Sequence, residues 1–126
     1  MIRNKDFDGG LTCSLPCSDL SASVHWYESI LGFELLFRID DMGWCELSTP
    51  VAGVTLGLSQ VEKPEVRGGT TLTWGVNDID SARRSMEEQD VPFDGETITI
   101  PETVHLATFF DPDGNKHMLY QDLGGH

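Results

Sequence analysis

Residues 18–35, "SDLSASVHWYESILGFEL", and residues 77–91, "NDIDSARRSMEEQDV", decide how this chain folds. In the first stretch Asp19 or Ser18 can accept a hydrogen bond from an opening helical turn, and Gly32 supplies the left-handed stop. Between them Leu20, Val24, Tyr27 and Leu31 recur at helical spacing, one apolar stripe on an otherwise polar rod. An offset of 59 positions carries Asp19 onto Asp78, and with it Ser18, Leu20, Ser21 and Glu28 onto Asn77, Ile79, Asp80 and Glu87. The second stretch reads as a second helix with a polar outer face, and the constant offset marks an internal duplication.

The flanking segments alternate with period two. "LTCSLPC" sets Leu11, Cys13, Leu15 and Cys17 against Thr12, Ser14 and Pro16, the pattern of a strand with one apolar face. "FELLFRI" sets Phe33, Leu35, Phe37 and Ile39 against Glu34, Leu36 and Arg38, and "GWCELS" and "VTLGLSQ" supply two further strands. After the polar "VEKPEVRGG" the order repeats with "TTLTWGV", the second helix, "ETITI", "HLATFF" and "KHMLYQ". "DPDGN" between the last two has aspartate first, proline second and glycine fourth, the chemistry of a type I turn. The expected boundaries are a flexible tail over 1–10, a βαβββ module over 11–60, a linker over 61–69, a second βαβββ module over 70–122 and a tail over 123–126. Each sheet has one apolar face under its helix, which leaves the other to be covered or to enclose a ligand.

Bulk composition narrows the function. The 126 residues are 39% hydrophobic and 23% charged, a globular balance, and no apolar run is long enough to span a bilayer. The N-terminal segment lacks the apolar core of a signal peptide, so a cytoplasmic protein is expected. Acidic residues outnumber basic ones 21 to 8, for a net charge of −13 that repels phosphate backbones and anionic lipids. Neither a nucleic acid nor a membrane is an expected partner. The same charge serves solubility and also suits a cationic ligand. Cys13, Cys17 and Cys45 lack the paired spacing and histidines of a zinc site and read as small core residues in a reducing compartment.

Two copies of strand, helix and three strands, with Trp26 and Tyr27 before Leu31 and Gly32 and with the Asp111 to Asn115 turn, resemble the vicinal oxygen chelate superfamily. That group includes glyoxalases, extradiol dioxygenases and bleomycin-resistance proteins. The resemblance runs from Leu11 to Asp122 and implies an α+β fold: two βαβββ modules forming an open, cleft-enclosing mixed sheet, a single domain overall that pairs as a homodimer. In the superfamily's metalloenzymes one ligand comes from the first and fourth strand of each half. Those places here carry Thr12, Gly57, Thr71 and Met118. Hydroxyls, a thioether and a bare backbone are weak donors for divalent transition metals, so no metal and no other cofactor is expected.

The face opposite the helices then reads as a neutral binding wall of Thr12, Ser14, Thr55, Gly57, Thr71, Thr73, Met118 and Tyr120. Alternation adds Trp44, Glu46 and Arg38 to it, the last two as selectors of charge, and the resemblance adds Phe109. His117, in step with Leu119, is expected under the helix as a structural histidine, with Trp74 in the core. The expected function is metal-independent binding of a small organic molecule, for instance sequestration of a drug or metabolite. The alternative is an enzyme of the same fold, a lyase, isomerase or dioxygenase, with Glu46, His105 and Glu102 as the candidates for catalysis or displaced metal ligation.

Overall fold

A computed structural model describes residues 3–65 and 70–124. The outermost residues of both tails and positions 66–69 of the expected linker lie outside the described residues. The chain divides after Glu65 into two compact units.

The first unit is built from β1 (Leu11–Cys17), α1 (Leu20–Trp26), β2 (Leu35–Ile39), β3 (Trp44–Ser48) and β4 (Val54–Gln60). Its sheet runs β1-β4-β3-β2, with β1 parallel to β4 and the other pairs antiparallel. Asp19, not Ser18, caps α1 by accepting from the Ala22 amide at 3.0 Å. The helix widens into a π turn over Tyr27–Leu31 and stops at Gly32, whose φ of 72° is the left-handed conformation that favours glycine. Leu20, Val24 and Tyr27 press onto a sheet face made by Cys17, Cys45, Leu47, Leu56 and Leu58, all fully buried. Each such leucine contributes about 1.5–3 kcal/mol through burial.

The second unit repeats the order with β5 (Leu72–Gly75), α2 (Ile79–Glu88), β6 (Ile98–Ile100), β7 (Val104–Phe110) and β8 (Lys116–Asp122), in a sheet ordered β5-β8-β7-β6. Asp78 caps α2 through the Ser81 amide at 3.1 Å, as Asp19 caps α1. The duplication reaches a detail that the sequence comparison did not include. In each unit a glutamine near the end of the fourth strand accepts from the first helical amide: Gln60 from Leu20 and Gln121 from Ile79, both at 2.8 Å. That bond satisfies one of the helix's orphan donors and pins the helix to its sheet.

Two expected orientations are corrected. Phe109 does not face away from the helix: it is fully buried, pairs in register with His117 and stacks on that ring at 5.2 Å and 11°. It is in step with Ala107, which is also buried, so the strand's own period holds and the placement implied by resemblance does not. Arg38 is the second case. A bulge between Leu35 and Phe37 shifts the register of β2, so Arg38 lies opposite Cys45 while Phe37 and Ile39 lie opposite Glu46 and Trp44. Arg38 accordingly bonds Ser21 of α1 at 3.1 Å and Asp40 at 2.8 Å, on the helix side. His117 lies buried on the helix side as expected, and Trp74, expected in the core, is half-buried on that side, its indole donating to His117 Nδ1 at 3.1 Å.

Candidate functional site

Register places the non-helix face of the first sheet in three cross-strand rows. Thr12, Thr55 and Ser48 form one; Ser14, Gly57, Glu46 and Phe37 the next; Pro16, Ser59, Trp44 and Ile39 the third. Residues directly opposite across a ladder share a face, so these side chains stand together. A hydrogen-bonded chain crosses the rows. The Thr12 and Thr55 hydroxyls are 2.9 Å apart, Thr55 donates to Glu46 Oε1 at 3.0 Å, and the Trp44 indole donates to Glu46 Oε2 at 3.3 Å. Glu46 is thus held by two donors, where the sequence showed no partner for it.

The benzo edge of the Trp44 indole occupies the space beside Gly57. A Cβ at that glycine would collide with the outer edge of the indole, its second-nearest contact being Cζ2 at 2.6 Å. Glycine here is the absence of a side chain that lets an aromatic ring settle on the backbone. We expect Gly57→Ala to push the indole off the strand, costing about 1–3 kcal/mol of stability. Urea unfolding with Trp44 emission checks this; an unmoved midpoint and an unchanged spectrum would show that the ring does not rest there.

On the second sheet the corresponding face carries Thr73, Met118 and Thr108 in one row and Gly75, Tyr120, Leu106 and Ile98 in the next. The Tyr120 ring covers Gly75, its hydroxyl 2.8 Å from where a Cβ would stand. Val104, Ile100 and Phe110 extend this face, which is more apolar than the first. Thr71 precedes β5, and its carbonyl accepts from the Thr73 hydroxyl at 3.5 Å. His105 lies in register with Gln121 on the helix side and bonds the Thr99 hydroxyl at 2.8 Å, while Glu102 stands exposed in the turn between β6 and β7 at φ 64°. The structure therefore does not bring His105 and Glu102 into one pair. A cavity of about 220 Å³ between the end of the π turn and β3, lined by Phe33, Glu34, Ser48 and Thr49, meets the first face at Ser48.

The sequence reading missed Phe37 and Ile39 on the first face and Leu106, Ile98, Ile100 and Phe110 on the second. The signal for the first pair was the unbroken apolar run Leu35, Leu36, Phe37, where strict alternation had already failed.

The four residues that the resemblance aligns with the superfamily's metal ligands are each poorly suited to ligating an ion. Thr12 is bonded to Thr55, Gly57 lies under an indole, Thr71 offers a hydroxyl and Met118 a thioether. Among the described residues no three or more His, Cys, Asp or Glu side chains gather in a way that could hold a metal ion.

Two copies of a βαβββ order, each with a four-stranded mixed sheet under its helix, define the class: an α+β fold. This chain belongs to the Glyoxalase/Bleomycin resistance protein/Dioxygenase superfamily, whose family model matches residues 11–119. Among solved structures it is similar to a superfamily member from Sphaerobacter thermophilus, at 26% identity over 90% of this chain and 96% of that one, with a TM-score of 0.77. It is also similar to TnmS3, an antibiotic-binding protein from a Streptomyces species, at 28% identity over 90% and 94%, with a TM-score of 0.73. Lactoylglutathione lyase from Agrobacterium tumefaciens shares the fold at 16% identity over 90% and 92%, with a TM-score of 0.72. Among curated protein sequences none matches this one. No helix among the described residues is long and apolar enough to cross a membrane.

Proposed function

We propose that this protein is a metal-independent binder of a small organic molecule, holding a drug or metabolite rather than converting it, as a cytoplasmic homodimer. The observation that carries this reading is the first sheet's face opposite α1, where Trp44 fills the space beside Gly57, aligned by resemblance with a metal-ligand position, and Thr12, Thr55 and Glu46 form one bonded chain next to it. An aromatic platform with a few fixed polar groups is how binding pockets gain contact area and orientation together. The likeness to an antibiotic-binding protein supports it.

A thermal-shift screen of aromatic antibiotics and metabolites against chelator-treated protein tests the proposal. The expected result is a ligand that binds equally well with and without chelator, that is recovered unchanged by mass spectrometry, and whose affinity falls at least tenfold in Trp44→Ala. A loss of about 1.4 kcal/mol is modest for a truncated aromatic anchor. A metal requirement, or conversion of the ligand, overturns it. One observation favours an enzyme instead: Glu46 is oriented by two hydrogen bonds, as a general base would be. Product formation that is lost in Glu46→Gln would establish that reading.

A further inference from the structure

The polarity of the hydrogen bonds around Glu46 narrows the ligand further. Thr55 has a single hydroxyl proton, and it is given to Glu46 Oε1. In the 2.9 Å bond between Thr12 and Thr55, Thr12 must therefore be the donor. Its own proton is then spent, and what Thr12 turns outward is lone pairs. The Trp44 indole has one N–H, and it too is directed at Glu46. Every proton in this chain points inward toward the carboxylate, so the chain offers a ligand acceptors only.

The charge balance points the same way. Arg38, the one cation that alternation assigned to this face, is turned to the helix side by the β2 bulge and paired with Asp40 at 2.8 Å. No lysine, arginine or histidine among the described residues forms an ion pair with Glu46. A ligand that settles on Trp44 strips water from this carboxylate. That costs free energy unless the ligand itself brings a donor, and most of all a charged one. The indole face beside it favours a flat cation over a flat neutral ring.

We propose that the first-sheet face selects a planar, positively charged hydrogen-bond donor, of the class of protonated aromatic amines and amidines. The planar ring lies on Trp44, its N–H groups point at Glu46 and Thr12, and an anion is disfavoured beside that carboxylate. This rests on the binder reading above and goes beyond it in naming the ligand's charge and polarity.

The test uses three flat probes of nearly equal size: 9-aminoacridine as the cationic donor, 9-anthracenemethanol as the neutral one and 9-anthracenecarboxylate as the anion. Binding is followed by probe fluorescence in about 0.15 M salt, where the Debye length of about 8 Å suppresses attraction by the net charge at a distance. The expected result is that 9-aminoacridine binds at least tenfold more tightly than the other two. Glu46→Gln should remove that preference, and Glu28→Gln, the same charge change on an exposed residue of the π turn, should keep it. If Glu28→Gln weakens the cation as much as Glu46→Gln does, the preference belongs to the overall charge and the proposal is wrong. If the alcohol or the anion binds the native protein as tightly as the cation and needs Trp44, the ligand class falls while the binder reading stands. Failure of all three to bind counts against both. Unfolding midpoints, with Glu28→Gln expected to match the native protein and Glu46→Gln to fall only slightly, separate loss of binding from loss of fold.

Discussion

Between pH 6.5 and about pH 4 the protein is expected to lose roughly 3 kcal/mol of stability through one side chain, His117. The ring has no exposed surface, lies between Phe109 and Trp74, and takes the Trp74 indole proton on Nδ1 at 3.1 Å. Burial away from water disfavours the imidazolium and lowers the pKa from 6.5 to about 4. The folded value is depressed, so the stabilisation is fully present above 6.5, where neither state binds the proton. It drains away as pH falls toward 4, because the unfolded chain gains a proton that the native ring refuses. At about 1.4 kcal/mol for each pH unit of separation this comes to roughly 3 kcal/mol, a large share of the 5–15 kcal/mol that holds a domain together. Urea midpoints from pH 7.5 to 4.5, native against His117→Phe, measure it. The variant keeps an aromatic between its neighbours and should show the shallower pH slope. Parallel curves for the two proteins would mean that His117 is not the group responsible.

Removing the carboxylate of Asp111 is expected to cost about 3 kcal/mol. It is buried at the head of the turn between β7 and β8, where Oδ1 accepts from the amides of Asp113 at 3.0 Å and Asn115 at 2.8 Å, and Oδ2 accepts from the Asn115 side chain at 2.8 Å. Asp111→Ala would leave these donors without that acceptor, the Asn115 pair in a buried setting, and a buried orphan costs about 1–3 kcal/mol. Asp111→Asn keeps one oxygen for the two amides and should cost roughly 1 kcal/mol. The order native, Asn, Ala in urea midpoint is the check. Equal midpoints for all three would show that the turn is held by its backbone alone, through the Gly114 amide to Asp111 carbonyl bond at 3.0 Å.

Much of this was legible in the sequence because it is local. Gly32 and the Asp111 turn act within a few residues of themselves and short-range rules read them correctly, while those rules narrowed the cap of α1 to Asp19 or Ser18 and left the choice to the structure. Alternation likewise placed Cys45, Leu47, His117 and Leu119 under their helices, since each strand's period is set by its own pleat. The offset between Asp19 and Asp78 revealed the duplication, and with it the family. At the candidate site, the residue types at the four metal-ligand places already argued against a metal.

What only the tertiary structure decided depends on neighbours far along the chain. The bulge in β2 arises from pairing with β3, and it exchanged Arg38 for Phe37 and Ile39 on the first face without any change in composition. Trp44 rests on Gly57 because β3 lies beside β4, and Glu46 acquires Thr55 as a donor from the same adjacency. The tie between Gln121 and the first amide of α2 crosses 42 positions of sequence. A strand's period states which residues share a side, but the side itself, and the partner each polar atom finds there, are set when separate strands close into a sheet.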